Sequence, residues 1–131
     1  MKFTSIILTT VLLGLNSYAR TIKCNGQADY GRIEITSLVI SDDSIVLKGK
    51  DLRAMTSFQK SYVIIEENDN FYTDLNKPAL FIGANTSGDP EDYSDDMSLS
   101  RLGMHRSGFG SDIAFELDGK RVFGEVKCSK K

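Results

Sequence analysis

The sequence is short of the residues and patterns that catalysis and cofactor binding leave behind. It holds one histidine, two cysteines, two prolines and no tryptophan in 131 residues. So little proline, with no internal repeat, excludes collagen-like and proline-rich fibrous architectures. No glycine-rich phosphate loop follows a strand pattern, and no nucleophile elbow is present, so the common enzyme motifs are missing. Basic charge is not in excess: sixteen Lys and Arg face eighteen Asp and Glu, for a formal charge of −2. That balance gives no electrostatic footprint for nucleic acid or an anionic membrane surface. What is there is ordinary globular material, 40% hydrophobic and 26% charged.

The first nineteen residues read as a removable export leader. Lys2 supplies a positive start, Ile6 to Leu15 an apolar run, and Asn16-Ser17-Tyr18-Ala19 a stretch with small residues at the −3 and −1 positions of a cut after Ala19. The apolar run is too short for a bilayer, which needs about 20 helical residues. The later runs, Tyr62 to Ile65 and Ala79 to Ile82, are shorter still. Cleavage would leave Arg20 first and a single domain over residues 20–131, with a net charge of about −3 once Lys2 is lost. Cys24 does not directly follow the cut, so the setting of a lipid anchor is absent. The expected product is a soluble monomer, secreted or periplasmic, with no membrane span.

Export decides how the two cysteines are read. Cys24 lies near the start of the mature chain and Cys128 near its end, and in an oxidising compartment they should pair as a disulfide. A metal site built from Cys24, Cys128 and His105 is the competing reading, but three scattered residues show no metal-ligand spacing.

Along the mature chain, apolar and polar residues alternate in short runs broken by turn residues, the pattern of half-buried antiparallel strands. The clearest case is terminal. Ile113, Phe115 and Leu117 alternate with polar or small neighbours, Asp118-Gly119 forms a type I′ turn pair, and Val122, Gly124 and Val126 resume the alternation. That register sets Leu117 opposite Lys120, Phe115 opposite Val122 and Ile113 opposite Gly124. Earlier strands are expected at Thr21 to Tyr30, at Arg32 to Ile40 with a bulge near Ser37, from Ile45 to Lys48, at Tyr62 to Glu66, Phe71 to Leu75 and Pro78 to Gly83, and at Met97 to Leu102. Between Lys50 and Lys60, Asp51 could cap a short helix near residues 51–59 whose Leu52, Met55 and Phe58 share a face; Leu52, Ala54 and Phe58 also alternate as in a strand, and one short helix or irregular turn is slightly favoured over that. The fold class is therefore all-β, a small antiparallel barrel or sandwich of about eight short strands with its termini tied by the disulfide.

Two segments are candidates for function. The first is acidic, Asp89-Pro90-Glu91-Asp92-Tyr93-Ser94-Asp95-Asp96. Asp92, Ser94 and Asp96 carry the oxygen spacing that opens a calcium loop, and Asp89 and Glu91 add carboxylates, but Met97 and Gly103 stand where the required Gly and bidentate Glu belong. A solvated acidic loop without metal is favoured. Asn85-Thr86-Ser87, at its entrance, matches a glycosylation acceptor. The second is a glycine-rich loop over residues 103–110, in which Arg101, His105, Arg106, Ser107 and Phe109 could form a binding tip, or the arginines could merely neutralise the acidic loop. A catalytic trio of Ser107, His105 and Asp112 can be written down, but no motif supports it, and no catalytic residue or cofactor is expected.

In outline, an exported β domain with terminal cysteines and a Ser107-Gly108 pair in a late loop resembles the small periplasmic lysozyme inhibitors. Those are β-barrels with a terminal disulfide and a Ser-Gly loop that enters the target's cleft; their longer loop motif is missing from this chain. The resemblance implies a protein inhibitor acting through the 103–110 loop. The composition and patterning imply a binding or interaction protein rather than an enzyme, whose partner is a protein, or a small molecule or calcium bound at the barrel mouth or the acidic loop.

Overall fold

The backbone follows the alternation. The computed structural model describes residues 20–72, 78–105 and 108–130; the leader expected at 1–19 and the Asn76-Lys77 turn lie outside them. Among the described residues there are eight strands and no helix: β1 (Ile22–Ala28), β2 (Ile33–Ile40), β3 (Ser44–Asp51), β4 (Thr56–Tyr72), β5 (Pro78–Asn85), β6 (Met97–His105), β7 (Gly108–Leu117) and β8 (Lys120–Lys130). Each pairs antiparallel with the next, and β8 pairs with β1, so the sheet is a closed up-and-down barrel rather than a sandwich. Closure satisfies the backbone groups that two free edges would leave exposed. No described helix is long and apolar enough to cross a membrane.

The β7–β8 hairpin has the register read from sequence, Leu117 against Lys120, Phe115 against Val122 and Ile113 against Gly124. Asp118 and Gly119 both take positive φ, 53° and 78°, as a type I′ turn requires. Replacing both with alanine is expected to destabilise the barrel by roughly 1–3 kcal/mol, since alanine is unfavourable at positive φ; unchanged denaturation midpoints would contradict this.

The bulge near Ser37 is present as well. The β2–β3 register slips between Ile35 and Ser37, which moves the inward phase from Ile33 and Ile35 to Leu38 and Ile40. One extra residue thereby keeps four large side chains on the core face.

Two expectations are overturned. Residues 51–59 form no helix. Asp51 Oδ1 accepts the N–H groups of Arg53 and Ala54, as a helix cap would, but Met55 turns left-handed at φ 58° and Thr56 to Ser61 pair with β3. Leu52 and Met55, two of the three residues of the supposed apolar face, are exposed. A helix here would strip β3 of its partner and open the barrel, so tertiary pairing overrides local propensity. Nor are Tyr62 to Glu66 and Phe71-Tyr72 separate strands, Thr73 to Leu75 of the expected second strand lying outside the described residues. β4 is one strand of 17 residues that carries Glu67-Asn68-Asp69-Asn70 through register slips at Ile64/Glu66 and Asn68/Phe71.

Inward side chains form one contiguous core that includes Tyr62, Phe115, Leu38, Leu47 and the isoleucines of β1 to β3, with the Phe58 and Phe115 rings 6.1 Å apart. Cys24 and Cys128 sit opposite one another in the β1–β8 ladder and are joined as a buried disulfide.

Candidate functional site

Because successive strands reverse direction, the turns at 29–32, 52–55 and 118–119 and the loop at 86–96 share one end of the barrel. The β2–β3, β4–β5 and β6–β7 connections share the other. The two segments singled out in the sequence therefore lie at opposite ends. β6 separates them by nine residues, about 25–30 Å at strand rise.

That segment is also less of a loop than expected. Met104 pairs with Phe109 and His105 with Gly108, placing Arg101 and His105 on β6 and Phe109 on β7. Arg106 and Ser107 lie outside the described residues, as do the side chains of Arg101, His105 and Phe109.

The acidic loop is a fastened cap, and what fastens it is a lysine facing inward. On β4, Lys60 falls in phase with Phe58, Tyr62 and Ile64, and its ammonium crosses the barrel mouth to the Glu116 carbonyl of β7 at 2.6 Å and to Asp95 Oδ1 at 2.8 Å. Glu116 Oε2 accepts from Asp95 N, and Arg121 donates to the Asp96 carbonyl. Asn85, fully buried, donates its amide Nδ2 to the carbonyls of Asp89 and Asp92 and accepts from Gly88 N. Beneath this cap the Tyr62 hydroxyl is enclosed. Burial holds its pKa far above the ordinary phenol range, Asp95 and Glu116 adding to the rise and Arg121 opposing it, so it stays neutral.

The loop's carboxylates serve as turn acceptors. Asp92 takes the hydroxyl and the N–H of Ser94, which hold its carboxyl below the usual range with help from Ser87, and Asp89 takes Glu91 N. Asp89, Glu91, Asp92, Ser94 and Asp96 do not converge: among the described residues no three acidic, histidine or cysteine side chains are gathered as metal ligands. Calcium at millimolar concentration is expected to raise the melting temperature no more than sodium chloride of equal ionic strength. A calcium-specific rise, removed by Asp92→Asn with Asp96→Asn, would reinstate a metal loop.

The feature that sequence reading missed lies on the outer surface near the same end. Ser98, Ala114 and Phe123 stand in one cross-strand row of β6, β7 and β8, with Ser100, Asp112 and Glu125 in the neighbouring outward row. Small side chains leave a groove of about 470 Å³, walled by Phe123 and by Tyr30 of the β1–β2 turn and bordered by Asp29, Asp112, Glu125 and Arg121. Phe123 is 68% exposed and Tyr30 wholly so. Asp29, Tyr30 and Gly31 have successive positive φ values of 51°, 56° and 85°, and a left-handed conformation costs a non-glycine residue about 1–2 kcal/mol. The turn is held there by Asp29 N donating to the Phe123 carbonyl at 2.8 Å, by Arg32 N donating to the Asp29 carbonyl, and by a 3.0 Å ion pair between Arg32 and Asp29. Tyr30 is thus fixed beside Phe123 without any burial to offset its strain.

Two like charges complete the face. Asp112 and Glu125 are directly opposite in the β7–β8 ladder, an unfavourable arrangement for carboxylates without a cation. Partial burial, then the facing Glu125, pushes the Asp112 carboxyl above its usual range. Neither forms an ion pair among the described residues.

One signal for this face was available: Phe123 is a large apolar residue on the polar phase of β8. Tyr30 gave none, since Thr21 to Tyr30 reads as strand and only the backbone shows the turn. Comparison with protein-family models, with curated proteins and with solved structures returns no match, so the face is read from its own chemistry.

Proposed function

We propose that this is an exported binding protein whose outer face at Tyr30, Phe123, Asp112 and Glu125 captures a lysine- or arginine-bearing segment of a partner protein. The observation that carries the reading is Tyr30, fully exposed at φ 56° and bolted next to an exposed Phe123. Strain held by the surrounding structure at an exposed aromatic points to use of that side chain. Aromatic faces and carboxylates together suit one chemistry. A guanidinium or ammonium can lie over a ring within about 6 Å of its centroid, while Asp112 and Glu125, which repel each other, gain a shared counter-ion.

The buried disulfide fits an oxidising compartment, and with the leader read at 1–19 it supports a secreted or periplasmic site of action. The packed interior favours a surface role over a ligand carried inside: none of the grooves described is lined by Tyr62, Phe115 or the core isoleucines of β2.

The test is titration of the exported protein with three octapeptides, arginine- and lysine-rich, glutamate-rich and neutral, followed by amide chemical shifts. Only the basic peptide is expected to bind, with shifts centred on residues 29–31, 112–114 and 123–125. Tyr30→Ala with Phe123→Ser should weaken it at least about tenfold, the scale of an interface hot spot. Asp112→Asn with Glu125→Gln should weaken it and flatten its salt dependence. Shifts confined to the opposite end, lost in Arg106→Ala with Ser107→Ala, would instead support the inhibitor-like reading of the 103–110 segment. Equal binding of all three peptides would refute the cation-capturing face.

A further inference from the structure

Arg20 lies two residues before β1, outside the ladder, yet it makes five hydrogen bonds. Its backbone N donates to Asp42 Oδ1 at 2.9 Å. Its guanidinium donates through Nε and Nη2 to the Ser41 carbonyl, through Nη1 to Glu67 Oε1 at 2.7 Å, and through Nη2 to the Asp42 carbonyl. Terminal segments fray unless something ties them down. Here one side chain clasps the β2–β3 turn and β4 together, while the Asp42 carboxylate meets the main-chain nitrogen itself.

This nitrogen is the one that the leader's small-residue motif would free. We propose that the fold has a built receptor for the processed terminus: hydrolysis of the Ala19–Arg20 bond creates an α-ammonium that Asp42 is placed to pair with, so that removing the leader completes the anchor. The reaction is hydrolysis by an endopeptidase of the leader-removing class. Water adds across the peptide C–N bond, Ala19 leaves as a carboxylate, and the Arg20 nitrogen takes up protons to become an ammonium.

Before the cut, Asp42 accepts from a neutral amide. After it, the partner is a cation with three donors, charged at neutral pH because an α-amino group has a pKa of about 7.7–8.0, and charge-assisted hydrogen bonds are roughly twice as strong as neutral ones. Cleavage even one residue earlier or later would carry the charge away from Asp42. The inference is independent of the binding face, which lies toward the other end of the barrel.

The experiment uses the full chain, expressed with its own leader and recovered as the exported product. Its intact mass should correspond to residues 20–131 with one disulfide. Acetylating the α-amino group, with the site of modification verified by mass, should lower the melting temperature at low salt by about 2–4 °C, the scale of an exposed ion pair in a domain of this size. In the Asp42→Asn protein the same modification should produce no shift. A product that begins anywhere but Arg20, a chain left unprocessed, or an acetylation shift equal in the two proteins overturns the proposal.

Discussion

Gly124→Val is expected to prevent the barrel from closing. A Cβ at position 124 would fall against the Gln27 carbonyl and within 2.6 Å of the Ala28 Cα, both parts of the β1 backbone. Flexible side chains can swing away from an added methyl; a paired strand cannot. Gly26, across the same seam, has the reciprocal problem, since its Cβ would meet the Glu125 carbonyl and lie 2.7 Å from the Val126 Cα. At these two inward positions β1 and β8 approach too closely for any side chain, which is how a small barrel turns a corner at its closing pair. Overpacking in cores costs about 1–3 kcal/mol where neighbours can adjust, and here the neighbour is main chain. The expected result is a loss on the order of 3 kcal/mol or more, read as a fall in the urea midpoint or as failure to recover folded protein. Phe123→Val, one residue away on the outer face, should melt near wild type. Equal stability of the two variants would mean that the seam is looser than described.

Loss of the disulfide should cost nearly as much. Cys24 and Cys128 are separated by 104 positions, and the chain-entropy model assigns about 4.7 kcal/mol to a loop of roughly 100 residues. The bond ties the same β1–β8 pair that the glycines bring together, and that pairing joins the two ends of the chain. Such distant contacts are the slowest to form, because loop closure must precede any gain from pairing. Cys24→Ala with Cys128→Ala is therefore expected to lower unfolding free energy by about 3–5 kcal/mol and to slow refolding. If the double variant loses under 1 kcal/mol, the seam holds without its crosslink.

How much of this could be read in advance varies with the range of the interaction. The Asp118-Gly119 hairpin, the Ser37 bulge and the disulfide rest on short-range pattern or on a unique pairing, and all were legible. The segment 51–59 was not, because Asp51 caps N–H groups in a turn just as it would in a helix, and only the need to pair β3 decides between them. Lys60 was passed over for the same reason: its partners, Asp95 and Glu116, are 35 and 56 residues away. The carboxylates of the acidic loop were legible as a group, but what they do depends on Asn85, Lys60 and Arg121, which reach them through the fold. The outer groove is assembled from β1, β6, β7 and β8, and no local pattern announces it.

Asn85 carries a consequence for how the protein can be made. Its side-chain nitrogen, the atom to which a glycan would be attached in Asn85-Thr86-Ser87, is fully enclosed and donates to two carbonyls. Sugar transferred to the nascent chain would occupy that nitrogen before the loop could wrap around it. A eukaryotic secretory host should therefore yield either unglycosylated, folded barrel or glycosylated chain that cannot fasten its cap, and occupancy at Asn85 should rise in the fraction that the host retains. Thr86→Ser and Thr86→Ala would both leave the acceptor intact and serve as controls, because the essential hydroxyl, two residues after the asparagine, belongs to Ser87. Substituting Ser87 by alanine is thus the change expected to restore yield in such a host, and glycosylated protein with a wild-type melting curve would show that the amide is free to leave its clamp.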